Sequence, residues 1–183
     1  AVAFREFIAA KDLAAQWPAG SWAWDIKRSG GYPDFTLSVW SIDLLRWLLN
    51  AEISEVEWKS SYAPLKEYGG IKSYNTMGTL KFSSGAVASL HFSSMVAPTA
   101  GTSRLEIFGD KTSSLLANWN DSLTLIGQDP ERQEWMFREG GTRVWGHYQL
   151  DEHFIQSILS GRKPKITADD AAKAIEVASK IVK

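Results

Sequence analysis

The chain has 183 residues, with 20 Lys+Arg against 21 Asp+Glu for a formal net charge of −1, and 44% hydrophobic residues. That length suits one domain that buries its own core, and a near-neutral charge without a basic block argues against nucleic acid or an anionic membrane as the main partner. Cysteine is absent, which excludes disulfides, thiolate catalysis and Cys-based zinc sites. No apolar run reaches the roughly eighteen residues of a membrane span, because Arg46 interrupts the longest candidate. The first residues, AVAFREFIAA, lack the basic start and long apolar run of a signal peptide, so a cytoplasmic location is expected. With no initiator Met and a stop at IVK, both ends read as cut.

Val2 to Ala9 is short, apolar and mildly alternating, which predicts a strand. Gln16 to Tyr32 has no helical period and contains Pro18, Gly20 and Gly30-Gly31, which predicts a loop. It carries three of the nine tryptophans, and long aromatic loops are often functional. From Phe35 to Asn50 the apolar residues at 37, 40, 44, 45, 48 and 49 repeat with helical spacing, while Val39, Ile42 and Trp47 fill the other side. This predicts a helix buried on most faces, started by Pro33-Asp34 or Thr36. Asp43 within it is expected to pair with Arg46 or to bond a loop amide.

From Glu52 to about Phe137 the period changes to two. The strongest hairpin signal is GTLKFSSGAVASLHFS, turning at Ser83-Ser84-Gly85, with Ala88, Leu90 and Phe92 on one strand face and Ser89, His91 and Ser93 on the other. Further strands, TSRLEIFG, SSLLANW and SLTLIGQ, are punctuated by Gly109-Asp110, Asn120-Asp121 and Asp129-Pro130. Two helices close the chain. Tyr148 to Ser160 carries a stripe of Leu150, Phe154, Ile155, Ile158 and Leu159 and stops at Gly161; the second is capped by Thr167 with Asp170 three residues on. The expected fold is α+β over residues 1–183: a single mostly antiparallel sheet with helices packed on one face and the other face available for oligomerisation.

The inventory of self-contained chemistry is thin. His91, His147 and His153 show no metal-ligand spacing, so no metal site is expected, and no dinucleotide, phosphate-loop or nucleophile-elbow motif occurs. The combination is more specific than its parts. The run WAWDIKRSGGYPDFTLSVWSIDLLRWLL (22–49), the hairpin above, the SRLEIFG strand and the closing pair FIQSILSGRKPKITADDAAKAIEVASKI resemble, in order, the Gfo/Idh/MocA (glucose–fructose oxidoreductase / inositol dehydrogenase) family. Gly30, Gly31, Asp43 and LLRWLL fall at that family's spacings, and the resemblance covers essentially the whole chain.

The resemblance implies a C-terminal domain that supplies substrate-binding groups and, through its sheet, an oligomer contact. It also implies a preceding dinucleotide-binding domain, absent from this chain, whose Glu-Lys-Pro lysine assists proton transfer. NAD or NADP would be bound mainly there, and no cofactor is expected here. Two departures bear on chemistry: Thr36 stands at the family's acid position and Trp40 at its catalytic His position. An indole N–H donates but cannot take a proton, so no catalytic residue is assigned in this chain. Asp34, two positions before Thr36, is read as a surface acid or helix cap, with compensation for the lost acid as the alternative. Trp22, Trp24, Asp25, Thr36, Trp40, Asp43, His147 and Tyr148 are the candidate substrate-binding residues, the first three in a covering loop and the last two approaching from the far edge. The function implied is the substrate-binding and oligomerisation domain of an NAD(P)-dependent oxidoreductase acting on a sugar, cyclitol or related polyol. The alternative is a non-catalytic carbohydrate-binding or structural dimerisation module.

Overall fold

The structure, a computed structural model, describes residues 1–97, 102–109, 113–118, 122–127, 132–136 and 147–182. Strands β1 (Val2–Phe7), β2 (Ile53–Leu65), β3 (Ile71–Phe82), β4 (Val87–Ser93), β5 (Thr102–Phe108), β6 (Ser114–Asn118), β7 (Ser122–Ile126) and β8 (Arg132–Met136) form one sheet in the order β2-β3-β4-β1-β5-β6-β7-β8. Every pairing is antiparallel except β1 with β4, where Phe4 lies beside Leu90. The first strand therefore sits in the middle of the sheet, and the long connection from β1 to β2 carries the helices α1 (Ala10–Gln16), α2 (Ile26–Ser29) and α3 (Pro33–Leu49). Helices α4 (His147–Ser160) and α5 (Ala168–Ala178) follow the sheet. The architecture is the expected α+β.

Period-two sequence makes one sheet face apolar. Phe4 on β1, Leu80 and Phe82 on β3, and Ala88, Leu90 and Phe92 on β4 are buried together with Leu37, Ile42 and Leu45 of α3 and Ala174 and Ala178 of α5. Small alanines on α5 let it lie close along α3. The opposite face carries Arg5, Asn75, Met77, Thr79, Lys81, Val87 and Ser89, all exposed. The hairpin turns where expected: Gly85 has φ 84 and donates its N–H to the Phe82 carbonyl at 2.9 Å.

Pro33 fits the first helical position of α3, where its missing N–H costs nothing, and Asn50 ends the helix in the left-handed region at φ 44. Helix α5 has the full capping box, Thr167 and Asp170 satisfying each other's backbone N–H groups.

Four expectations need correction. Helix α3 is not buried on most faces: Trp40 is 61% and Trp47 67% exposed, because sheet and α5 cover only one side of it. Asp34 is neither a surface acid nor a simple cap but is fully buried. The segment 16–32 is not all loop, since Ser21 caps a 3₁₀ turn at Trp22–Trp24 and Asp25 caps α2, and α1 precedes them. The apolar stripe of α4 is not packed: Leu150, Phe154, Ile155, Ile158 and Leu159 are all more than half exposed. The turns expected at Asp110, Asn120-Asp121 and Asp129-Pro130 lie outside the described residues.

The Trp58 indole on β2 packs against Gly78 of β3, and a Cβ at Gly78 would clash with that ring. Gly78→Ala is expected to destabilise the domain by about 1–3 kcal/mol, the usual cost of overpacking. Thermal or denaturant unfolding of the variant checks it; an unchanged midpoint would show that the indole moves freely aside.

Candidate substrate-binding groove

Helix α3 presents the site from its uncovered side. Thr36, Trp40, Asp43 and Trp47 follow one another at four-, three- and four-residue spacings, so they form one stripe along the helix. Trp40, Asp43 and Trp47 line a cavity of about 470 Å³ closed by Leu44, Ile166 and Ala171. A second cavity of about 340 Å³ shares Asp43, Trp47 and Ile166 and continues over Arg46, Glu52, Lys165 and Asp170. The result is a groove with an aromatic wall at one end and charge at the other, a combination that suits a ring bearing hydroxyl groups.

The charged end is organised by Arg46, whose side chain is 8% exposed. Its guanidinium donates through Nε and Nη2 to the two carboxylate oxygens of Glu52 at 2.9 and 3.0 Å, and through Nη1 to the Asp170 carbonyl at 2.9 Å and to Asp43 at 3.4 Å. The Arg46 fork and the Lys173 ammonium hold Glu52 down to about 2. Asp43 is shifted the other way: burial raises it, against the opposing pull of Arg46. The expected Asp43–Arg46 pair is present.

A separate network fixes the start of α3. The Asp34 Oδ2 accepts from Thr76 Oγ1 at 2.6 Å and from the Tyr62 hydroxyl at 2.8 Å, while Oδ1 has no hydrogen-bond partner. Desolvation raises the Asp34 carboxyl above its ordinary value, more than those hydrogen bonds lower it. The Gly30-Gly31 pair leads into this filled first turn, shaped by the Ser29 hydroxyl donating to the Gly31 carbonyl.

Of the sequence candidates, Trp40 and Asp43 come together in the groove. Thr36 stands one turn earlier on the same stripe, half-buried, and lines neither cavity. Trp24 is tied inward, its indole N–H donating to the Trp17 carbonyl at 2.8 Å; the Asp25 carboxylate accepts from the Lys27 N–H at 3.0 Å; Trp22 is 48% exposed. His147 and Tyr148 occupy the first turn of α4, both exposed. Trp47 and Asp34 were not among the candidates. Trp47 was legible as a repeat of Trp40 seven residues on, whereas nothing local marks Asp34 as buried, because its partners are 28 and 42 residues away.

Residues 7–114 match the GFO/IDH/MocA C-terminal domain. The chain belongs to this family. No curated protein matches the sequence. Solved structures are similar in fold throughout. Levoglucosan dehydrogenase in complex with NADH superposes with a TM-score of 0.77 at 19% identity, over 99% of this chain and 55% of that one. UDP-N-acetylglucosamine 3-dehydrogenase from Acidithiobacillus ferrooxidans gives 0.71 at 14% identity, over 99% and 51%. Biliverdin reductase from Synechocystis sp. PCC 6803, bound to biliverdin and NADP+, gives 0.73 at 14% identity, over 99% and 53%. The chain spans about half the length of the solved structures it matches. Among the described residues no helix is long and apolar enough to cross a membrane.

Among the described residues the groove is lined by no histidine, and the Trp40 indole can only donate. Asp43 is the one carboxylate among the residues that line the aromatic end.

The Asp34 network carries a pH signature of known sign. Because the folded-state carboxyl is raised, its favourable form is the neutral one; the stability it contributes is full below about 3.8 and is lost as pH rises through the raised value. Asp34→Asn keeps an acceptor for Tyr62 and Thr76 without the charge. It is expected to unfold at least as high as the parent at pH 7 and to lose that pH slope, measured as melting temperature from pH 3 to 8. A variant that melts lower at pH 7 would mean that the ionised form is the one the fold needs.

Proposed function

We propose that this chain is the substrate-binding and oligomerisation half of an NAD(P)-dependent oxidoreductase acting on a sugar, cyclitol or related polyol. The observation that carries this reading is the family match over residues 7–114, joined to the exposed aromatic groove on α3. Trp40 and Trp47 offer ring faces to a sugar, Asp43 accepts from its hydroxyl groups, and Thr36 one turn away serves as a further hydrogen-bonding group. Trp22, Trp24 and Asp25 belong to the covering segment, and His147 and Tyr148 approach from α4. In this reading residues 1–183 are a single C-terminal domain, and a dinucleotide-binding domain elsewhere in the whole protein holds NAD or NADP and supplies the proton-transferring group. That arrangement is supported by solved structures about twice as long and by the exposed apolar faces of α3 and α4, which a second unit would cover.

The experiment is a titration of the chain with inositol, glucose and levoglucosan, followed by calorimetry. Binding of at least one, weakened about tenfold or more by Trp40→Ala, is expected, because a stacked aromatic wall supplies on the order of 1–3 kcal/mol when desolvated. No NADH formation by the 183-residue chain with any of them is expected. Binding that survives Trp40→Ala unchanged would move the site away from α3.

The open sheet face supports the oligomer half of the reading. Its exposed residues mix Met77 and Val87 with small polar side chains and with charges of both signs, Arg5, Glu55, Glu57, Lys59 and Lys81, so a second copy covers it by setting those charges against opposite ones. Light scattering is expected to give a dimer or larger, reduced to monomer by Met77→Lys; a monomer mass for the parent at high concentration would refute this contact.

A further inference from the structure

A third cavity, of about 250 Å³, lies on the helix-bearing side at the free edge of the sheet, away from the α3 groove. It is lined by Tyr32, Trp58, Ser60, Tyr62, Lys180 and Ile181, with Ile26 beyond. Residues Ser60 to Ala63 of β2 are exposed, because α5 ends before it covers them. An exposed end of an edge strand needs no buried acid to hold it. Yet the Tyr62 hydroxyl donates to the Oδ2 of fully buried Asp34, and Thr76 bridges the same carboxylate to Ser60 Oγ at 3.0 Å. Burying a carboxyl group with one oxygen unpartnered is costly, and a residue held at such expense usually has a task. What this arrangement does is lock Tyr62, whose ring leans on Tyr32 with centroids 5.0 Å apart, as one rigid wall of the cavity.

The other walls complete a recognisable set. Trp58 packs its ring against Gly78 of the neighbouring strand. Ser60 lines the cavity beside it, its hydroxyl paired with that of Thr76. Lys180 is exposed and has no ion-pair partner among the described residues. Aromatic faces and one ammonium, with no carboxylate among the described residues that line the cavity, select a flat or chair-shaped ring that carries a single negative charge. The volume admits one ring and little more.

We propose that this cavity is a binding site for a small ring-bearing monoanion, an aromatic or sugar carboxylate, with Lys180 as its counter-ion and Tyr62, held by Asp34, as its positioning wall. The site is independent of the groove on α3 and of the redox reading, since it shares no lining residue with either α3 cavity.

Calorimetric titration of the 183-residue chain with benzoate, glucuronate and glucose tests it. Benzoate, glucuronate or both are expected to bind, and uncharged glucose not to bind at this site; which anion binds more tightly decides between an aromatic and a sugar acid. Lys180→Ala, an exposed side chain whose loss leaves the core intact, is expected to weaken the anion at least tenfold. Tyr62→Phe, which keeps the ring but frees it from Asp34, is expected to weaken it several-fold. Trp40→Ala is expected to leave anion binding unchanged. No binding of either anion, binding unaffected by Lys180→Ala, or binding abolished by Trp40→Ala would each overturn the proposal, and the last would assign the anion to the α3 groove instead.

Discussion

The domain is organised around one buried cation. The Arg46 side chain lies where the end of α3, the start of β2 and the first turn of α5 converge, and it bonds to all three. A guanidinium makes this possible because its planar fork presents five donors in fixed directions, two of them spent on Glu52 in bidentate form. Lysine at this position could carry the charge but could not meet the Glu52 carboxylate in bidentate form. Removing one partner from a buried ion pair costs about 3–5 kcal/mol in general, mostly from the charge left behind. Here Glu52 is half exposed, so solvent screening lowers that figure. The remaining interactions, to a backbone carbonyl and to Asp43, are less screened and fix the register of α3 against α5.

That register decides what α3 can offer. The helix turns Leu37, Ile42 and Leu45 into the sheet and Arg46 toward α5, which leaves Thr36, Trp40, Asp43 and Trp47 outward by elimination. Asp43 therefore has two duties that pull against each other. It closes the charge balance of Arg46, which favours the anion, and it lines an aromatic groove whose apolar walls raise its proton affinity. At the other end of the same helix Asp34 meets the opposite solution, a carboxyl group with no cation nearby, satisfied on one oxygen by two hydroxyls. One helix thus carries a paired acid near its C-terminus and an unpaired one at its N-terminus, and only the second is fully buried.

Much of the fold was legible because it rests on local periodicity. The alternation along β3 and β4, the Ser-Ser-Gly turn and the Thr167–Asp170 capping box are short-range signals, and each appears where the sequence indicates. The position of β1 beside β4 was not legible, since parallel pairing across more than 80 residues leaves no local mark. Trp40 and Asp43 were legible as site candidates from their spacing within a family-like run. Exposure misled in both directions: an all-round apolar helix suggested burial of Trp40 and Trp47, and a charged residue after a proline suggested exposure of Asp34. Both errors share one cause, that burial depends on which neighbours arrive, and the neighbours of Asp34 come from β2 and β3.

The two helices that close the chain show the same dependence on neighbours. Helix α5 buries Ala174 and Ala178 because α3 is there to receive them, and Ile181 just beyond the helix is buried as well. Helix α4 has a stronger apolar stripe and buries only Ser157; it is anchored by the Lys165 N–H donating to His153 Nε2 at 3.0 Å. An isolated helix of this length is marginal in water, so sequence that invests five large apolar residues on one side of it is shaped for a surface outside the described sheet and helices. The open sheet face mixes charged and small polar side chains with scattered apolar ones. The α3–α4 side, with large aliphatic and aromatic residues exposed, has the character of half a core. The two faces differ in kind, and the aromatic groove lies on the second of them.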